Sequence, residues 1–513
     1  MLYGSEALGG VVNIITKDQM KNSLRVAAGN KGQRDYAATI GMGKASLALG
    51  RNEFGSTGNM TERLGTRKIN GTDVPYYIGF GDSKKDHLAF NYKFDDRFKF
   101  SYMFNKKKYT TNYNDVNENI LQHFMYDDRE YFAQIAYNDE NGWDAKIYYN
   151  QRRIENPDYY VVNPTNVEWE KNDHKQYGLD TKKVWRSDKA TGLIGISAKR
   201  ETYKNDNQKF KTFGDSSSIL KDPAHFGTYA LNNYSVYGSY DRKLSRATNI
   251  IFSAREDLIR SEAGDYNEFL PQIQAITKFD EHNSVYASVG KSFRMPTFRN
   301  LYYASSVVVP NPDLEAEHGW NYEIGYKYSE NGRRLNLTAF RIDIKDQIVA
   351  VKNLVDNQSY QTNAAKYRNT GIELRYEQDV DKYFTYNVGA VFAKPQRMYK
   401  EGQAWIDTLG RYQINGGVNY VNRDFSAALN LSYWGNRFKN GVSSEKITVT
   451  EISSPLLVSN LHLGYNVAKN VTATFDVDNL FNRKDIANVG GTSNNNLYYT
   501  MGRTFRVGVN YNF

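Results

Sequence analysis

The chain has 513 residues, a formal net charge of +9, 40% hydrophobic residues, 41 tyrosines, 26 phenylalanines and no cysteine. The aromatic content excludes a disordered chain, and the missing cysteine excludes disulfides, thiolate metal sites and a cysteine nucleophile. Basic residues are interleaved with acidic ones and form no basic arm, so nucleic acid is not expected as a partner.

Strongly negative mean hydropathy beside so many aromatics is the composition of a transmembrane β-barrel. Only the lipid-facing half of each strand must be apolar, and aromatics gather at the two interfaces. No stretch approaches the ~20 consecutive apolar residues of a membrane-spanning helix. The basic loops suit anionic lipopolysaccharide or an anionic ligand.

The first segment, Tyr3–Lys17, sets the tandem glycines Gly9 and Gly10 before Val11, Val12, Ile14 and Ile15. Gly4, Gly9 and Gly10 suit tight turns, and the β-formers after them read as a buried strand. From about residue 21 the sequence changes to alternation with period two. Leu88, Phe90, Tyr92 and Phe94 alternate with Ala89, Asn91, Lys93 and Asp95; after Asp95–Arg97, Phe98, Phe100, Tyr102 and Phe104 repeat the pattern. That is a hairpin with one greasy and one polar face.

Short connections recur at Asp95–Arg97, Asp139–Gly142, Arg186–Lys189, Lys243–Ser245, Asp280–Asn283, Ser329–Gly332, Asp379–Lys382 and Asn422–Arg423. Long polar spans lie between them, near 53–85, 106–129, 153–173, 202–229, 294–318, 346–365, 394–408, 436–454 and 483–500. Short and long connections alternate as do the periplasmic turns and extracellular loops of an outer-membrane barrel. The expectation is all-β: an antiparallel barrel of about 22 strands, each of ~9–11 residues, with both ends on the periplasmic side and a single barrel per molecule. A propeller or solenoid would need a repeat of fixed length, which the spacing lacks. The last strand carries Phe505, Val507, Val509, Tyr511 and Phe513 on one stripe. It is expected to pair with the first strand, because lipid tolerates no open sheet edge.

Several segments resemble the TonB-dependent outer-membrane receptors. They are YGSEALGGVVNIITK at 3–17, SFRMPTFRNLYY at 292–303, NPDLEAEHGWNYEIGYKY at 311–328, NAAKYRNTGIELRY at 363–376, DVDNLFNRKD at 476–485 and GRTFRVGVNYNF at 502–513. The matches run the length of the chain in the family's order. The resemblance implies that residues 1–20 are the C-terminal remnant of a plug and residues 21–513 the barrel. The family also has a signal sequence, an energy-coupling box that meets TonB, and the body of the plug. Without these, Met1 is expected to be an internal methionine of a longer protein, and the chain alone a leaky pore. The implied role is energised uptake of a scarce, bulky nutrient, with a ferric siderophore foremost and cobalamin, haem or an oligosaccharide as alternatives. A passive porin has no reason to carry the 3–17 and 292–328 blocks. Haem receptors of this family carry a histidine between the counterparts of FRMP and NPDL; Thr297–Pro310 has none.

Candidate ligand contacts in the loops are Arg294, Arg299, Tyr302, Tyr303 and Asn311, with a second aromatic group at Tyr159, Tyr160 and Trp169. Arginine suits a carboxylate or catecholate-type anion, and tyrosine supplies flat contact area. The plainer reading is that Arg294, Pro296, Asn311 and Pro312 shape the loop. Alternation directs Glu323, Arg341, Asp343, Glu373 and Arg375 into the lumen, opposite Tyr322, Ile324, Phe340, Ile342 and Ile372, because a charge on the lipid face costs ~2–4 kcal/mol near the midplane. There they form a solvated or mutually paired wall, or hold the plug by ion pairs. The run NYNDVNEN at 112–119 offers oxygen ligands for calcium without a fixed loop spacing, and a solvated loop is expected. No cofactor or resident metal is expected. Seven scattered histidines give no hydrolase constellation, so no enzymatic activity is expected either.

Overall fold

The computed structural model describes residues 21–513 except 70, 162–166, 211–218, 221–226, 305–307, 357, 443–446, 453 and 491–495. The 3–17 segment and its glycines therefore lie outside the described residues. The rest closes into a 22-strand antiparallel barrel. Its strands are β1 Ser23–Gly29, β2 Arg34–Met42, β3 Ala45–Phe54, β4 Thr72–Lys93, β5 Phe98–Asn114, β6 Ile120–Asn138, β7 Trp143–Val161 and β8 Val167–Arg186. They continue as β9 Ala190–Phe210, β10 Gly227–Lys243, β11 Thr248–Ser261, β12 Gly264–Lys278, β13 Asn283–Arg294, β14 Glu317–Glu330 and β15 Arg333–Lys352. The last seven are β16 Ser359–Asp379, β17 Phe384–Met398, β18 Leu409–Val421, β19 Phe425–Val442, β20 Leu456–Ala468, β21 Val471–Asp478 and β22 Thr504–Asn512.

Each strand pairs with its sequence neighbours, and β22 pairs with β1 to close the wall, from Ser23 opposite Asn512 to Gly29 opposite Arg506. The stripe Phe505, Val507, Val509, Tyr511 and Phe513 is exposed, as lipid-facing side chains of an isolated barrel must be. Turn chemistry sets the short connections. Asn331 and Gly332 both have positive φ, 48° and 73°, which gives β14–β15 the primed two-residue turn that matches strand twist. Asp95, Asp139 and Asp280 each accept backbone N–H groups two to four residues on, folding their turns locally.

The long connections differ from expectation. Much of the polar sequence read as loop is strand: β4 has 22 residues and β9 has 21, and the 106–129 span is a hairpin whose turn is only 115–119. A strand that rises past the bilayer is wet on both faces, so its period-two signal fades although its ladder continues. In the 112–119 run, Asp115 accepts from the backbone of Asn117 and Asn119 and from the Asn119 side chain, which makes this acid a turn former.

Among the described residues, several of the long connections keep structure of their own. Residues 295–316 hold a short helix, α1 Phe298–Tyr302. Residues 479–503 carry a small hairpin, Ile486–Gly490 with Asn496–Tyr499. This hairpin grips the β3–β4 connection across the closure seam. The Tyr499 amide donates to Met60 O at 2.8 Å and the Tyr499 hydroxyl donates to Glu62 at 2.5 Å. That hydrogen bond holds the phenol up at about 12.

Candidate functional site

The site is built where β13 ends. Above Gly290 the ladder between β12 and β13 stops, because the last pair is Gln272 with Gly290, while β13 stays paired with β14 up to Arg294 and Glu317. The chain then turns inward. Thr297 caps α1, accepting from the Asn300 amide at 3.2 Å while Asn300 Oδ1 accepts from the Thr297 amide at 3.1 Å. This reciprocal box satisfies donors that a five-residue helix would otherwise leave open.

The helix packs by its aromatic face. Phe298 stacks on Tyr203 with centroids 5.7 Å apart and meets His174 edge-on, and Tyr302 stacks on Tyr229 at 3.8 Å. Leu231, Ile259, Leu270, Phe293 and Ala316 form the buried apolar cluster beside it, with Met295 and Phe298 packed on top. Burial raises the Tyr302 phenol above its ordinary range. Tyr302 is thus an anchor for the helix, stacked on the wall.

Between α1 and the inner wall of β7–β11 lies a cavity of about 490 Å³. Its charged lining is Arg152, Lys199, Arg294 and Arg299 with His174, against the single carboxylate of Glu201. Glu201 accepts from His174 at 3.2 Å and is paired with Lys199. Asn233 of the same wall leads into a fully buried network: Ser235 donates to Asn233 at 2.8 Å, and Arg255 donates to Asp257 at 2.9 Å and to Ser235 at 2.7 Å. Asp257 is sealed from solvent, and its charge is tolerated because Arg255 and Ser235 both bond it. The cavity therefore has a hydrogen-bonded wall below and a rim of guanidinium and ammonium groups, of which Arg152 is held by Asp128 and Lys199 by Glu201, an arrangement suited to an anion carrying flat rings.

The sequence candidates divide. Arg294 and Arg299 both line the cavity. Arg294 is already held by Glu317 at 2.5 Å, and Arg299 lies over the Tyr303 ring at 4.3 Å. Asn311 shapes the loop. Its amide donates to Asn300 O, its side chain donates to Gln361 O, and it accepts from the Asp313 amide. Tyr159 and Tyr160 fall on β7 and Trp169 on β8, where a loop was expected; their side chains lie outside the described part.

Glu323, Glu373 and Arg375 face the lumen. Ile324 and Ile372, their neighbours in sequence, are the exposed outward residues, and Arg375 pairs with Glu373 at 2.5 Å. Arg341 and Asp343 do not face inward. Arg341 sits opposite Tyr322, and Asp343 opposite Trp320, in the β14–β15 ladder. Cross-strand partners share a face, and both aromatics are exposed on the outside. The two charges neutralise each other at 2.8 Å on the outer surface, while Phe340, on the inward column, packs against Gly371. The expected orientation fails because β15 is 20 residues long. Its outer column is apolar at Leu335, Leu337 and Ala339 and turns charged above them, past the hydrocarbon.

Sequence reasoning missed Arg152, His174, Lys199, Glu201 and Tyr203. All belong to strand segments or their polar continuations. The usable signal was the inward column of the ladder rather than any local motif.

A closed antiparallel barrel of this strand number, with short turns at one end and a folded loop at the mouth of the other, defines an outer-membrane receptor or transporter barrel. The chain belongs to the family of TonB dependent receptor-like β-barrels, whose pattern it matches over residues 67–480. Its place is the bacterial outer membrane. Solved structures agree in fold. The ferric enterobactin receptor PfeA of Pseudomonas aeruginosa, in complex with BCV-L6, superposes with a TM-score of 0.72 at 17% identity, covering 100% of this chain and 84% of that one. The ferripyoverdine receptor of P. aeruginosa gives 0.71 at 12% identity, covering 98% and 73%. The copper transporter OprC gives 0.72 at 16% identity, covering 98% and 84%. The family and these structures are receptors and transporters.

Proposed function

We propose that the protein takes up a bulky anionic metal chelate of the ferric-siderophore class, energised through TonB. The observation that carries this reading is the cavity under α1, where Arg152, Lys199, Arg294 and Arg299 surround space for a ring-bearing anion. Receptors for ferric enterobactin and ferripyoverdine share the fold, which supports the same substrate class. In this reading Arg299 and Tyr303 meet the ligand first, Arg294 lines its seat, and Tyr302 and Asn311 hold the loop that presents them. Glu323, Glu373 and Arg375 on the lumen wall hold the plug by ion pairs until TonB displaces it.

The test is growth of a deletion strain on single iron sources, complemented with wild-type or R299A protein. A ferric chelate that restores growth with the wild type, and much less with R299A, is the expected result. Growth on every iron source equal to that of the parent strain, with growth lost instead on a cobalamin or glycan source, overturns the assignment.

A further inference from the structure

The wall of the barrel is split where β12 and β13 part. Their last ladder pair is Gln272 with Gly290. Beyond it β12 runs on to Gly264 beside β11, and β13 runs on to Arg294 beside β14. Gly290 lies opposite Asn321, level with the exposed interface aromatics Trp320 and Tyr322, so the split opens above the hydrocarbon. Side chains close it. Leu270, Phe293 and Ala316 supply the apolar part of the filling.

The polar part centres on one imidazole. His318 stands on β14. Its Nε2 lies 2.7 Å from the Glu268 carboxylate on β12, and its Nδ1 lies 3.6 Å from Asp346 on β15. Lys291 of β13 donates to the same Glu268 at 3.3 Å. Lys345 is the cross-strand partner of His318. Asp257 of β11, opposite Glu268 in its ladder, is already bonded by Arg255 and Ser235.

The two carboxylates differ in setting. Glu268 is 7% exposed, whereas the Asp346 side chain is 47% exposed. Asp346 also occupies the register shift of β15, at a φ of 56°. Its carbonyl accepts from the Asn363 side chain at 2.7 Å, and that side chain donates to Glu315 O at 3.0 Å and accepts from the Glu315 amide at 2.8 Å. On the other side of the split, Tyr266 of β12 donates to Leu314 O at 2.9 Å. Both strands that His318 joins therefore carry a tie to residues 311–316 at the mouth.

We infer that His318 is a pH-operated clasp across this split, and that its protonation sets how firmly residues 311–316 are held. An imidazolium has two N–H donors and serves both carboxylates; the neutral ring has one and turns a lone pair to the other acid. The buried Glu268 keeps the remaining N–H, so Asp346 is released to water and the tie through Asn363 loosens. The hydrogen bond from Glu268 raises the His318 pKa above its ordinary 6.5, with burial and Lys291 opposing and Asp346 assisting. A raised folded pKa makes the clasp strongest below 6.5 and lost as pH rises through the folded value. The device acts whatever ligand the barrel carries.

The chain has no cysteine, so D313C places a single spin label on an exposed turn of this stretch. Electron paramagnetic resonance of the labelled receptor in lipid nanodiscs reads its mobility from about pH 5 to about pH 9. The mobile fraction should rise roughly fivefold across one single-proton transition, as for loss of one part-exposed ion pair. H318R, charged throughout, should stay at the low level, and H318Q should stay at the high level. D346N, which removes the released carboxylate, should blunt the rise. Heat-modifiable gel mobility checks that each variant is folded. A wild-type label whose mobility does not change with pH overturns the proposal, as does the full wild-type transition in folded H318Q, H318R or D346N.

Discussion

Glu317 allows a quantitative test of how the mouth is held. Its side chain is 0% exposed, and its carboxylate accepts from the Ile348 amide at 2.8 Å and from Arg294 at 2.5 Å. The Ile348 amide needs this partner because the β15–β16 ladder shifts register between Ile344 and Ile348, with Asp346 at a φ of 56°. A hydrogen bond to a charged group contributes ~1.5–3 kcal/mol. Arg294 is 47% exposed, so solvent screening leaves that pair at most ~1 kcal/mol. Glu317→Ala should therefore destabilise the region locally by about 3 kcal/mol, raising its open population roughly a hundredfold. The barrel as a whole should remain folded, since the loss falls on a segment that opens independently.

Hydrogen exchange is the assay. The Ile348 amide and residues 311–318 should exchange far faster in E317A, and limited proteolysis should cut within 295–316. Glu317→Gln keeps an acceptor for Ile348 and should fall between the two. Exchange at Ile348 in E317A equal to that of wild type refutes the assignment of Glu317 as the tie between β14 and β15.

Three other outcomes follow from the geometry. A Cβ at Gly29 would come within 2.1 Å of Phe505 O on β22, so Gly29→Val should lower the yield of closed barrel, read as loss of the heat-modifiable band, whereas the same change at Gly43, where nothing lies within 4 Å, should leave strand pairing intact apart from turn strain. Charge reversal at Glu373 should alter permeability to a large antibiotic in the plug-bearing receptor, and reversal at Arg341 should not; an effect at Arg341 alone would contradict the β14–β15 register. The Phe98 and Arg97 amides hold the Asp95 carboxyl below its ordinary range; the Trp143 amide does the same for Asp139 and the His282 amide for Asp280. A depressed folded pKa contributes stability above the unfolded value near 3.8 that is lost as pH falls through the folded pKa. Refolding yield should thus drop below about pH 4, and D95N/D139N/D280N should flatten that dependence.

The fold was legible because the membrane enforces it. Leu88–Phe94 and Phe98–Phe104 alternate cleanly since one face meets hydrocarbon and the other water, and the turn signals at Asp95 and Asn331-Gly332 fix where the chain reverses. The site was less legible for the same reason. Above the bilayer both faces of a strand are wet, so residues 106–129 or 202–210 read as loop. His174, Glu201 and Tyr203 are adjacent only through the β8–β9 register, which no local window reveals. Arg341 shows the limit most sharply. The rule that charges face inward holds within the hydrocarbon, and β15 outgrows it. Arg294 and Arg299 were found because the first ends β13 and the second lies within the irregular segment at 295–303, where the ladder ends and the sequence itself changes character.

The seam between β1 and β22 has a consequence for how the molecule comes to exist. Every other barrel ladder joins strands consecutive in the chain, so a stack of hairpins can grow by short loop closures. Ser23 opposite Asn512 joins residues at the two ends of the barrel, and the entropy of that closure cannot be recovered until all the intervening strands are in place. Until then two unpaired edges remain, and hydrocarbon does not tolerate them. Closure and insertion must therefore proceed together. The grip of Tyr499 on Met60 and Glu62 links the same two ends outside the bilayer, where water can solvate an incomplete product. It adds a second tie in the same register once the seven residues of β1 have met β22.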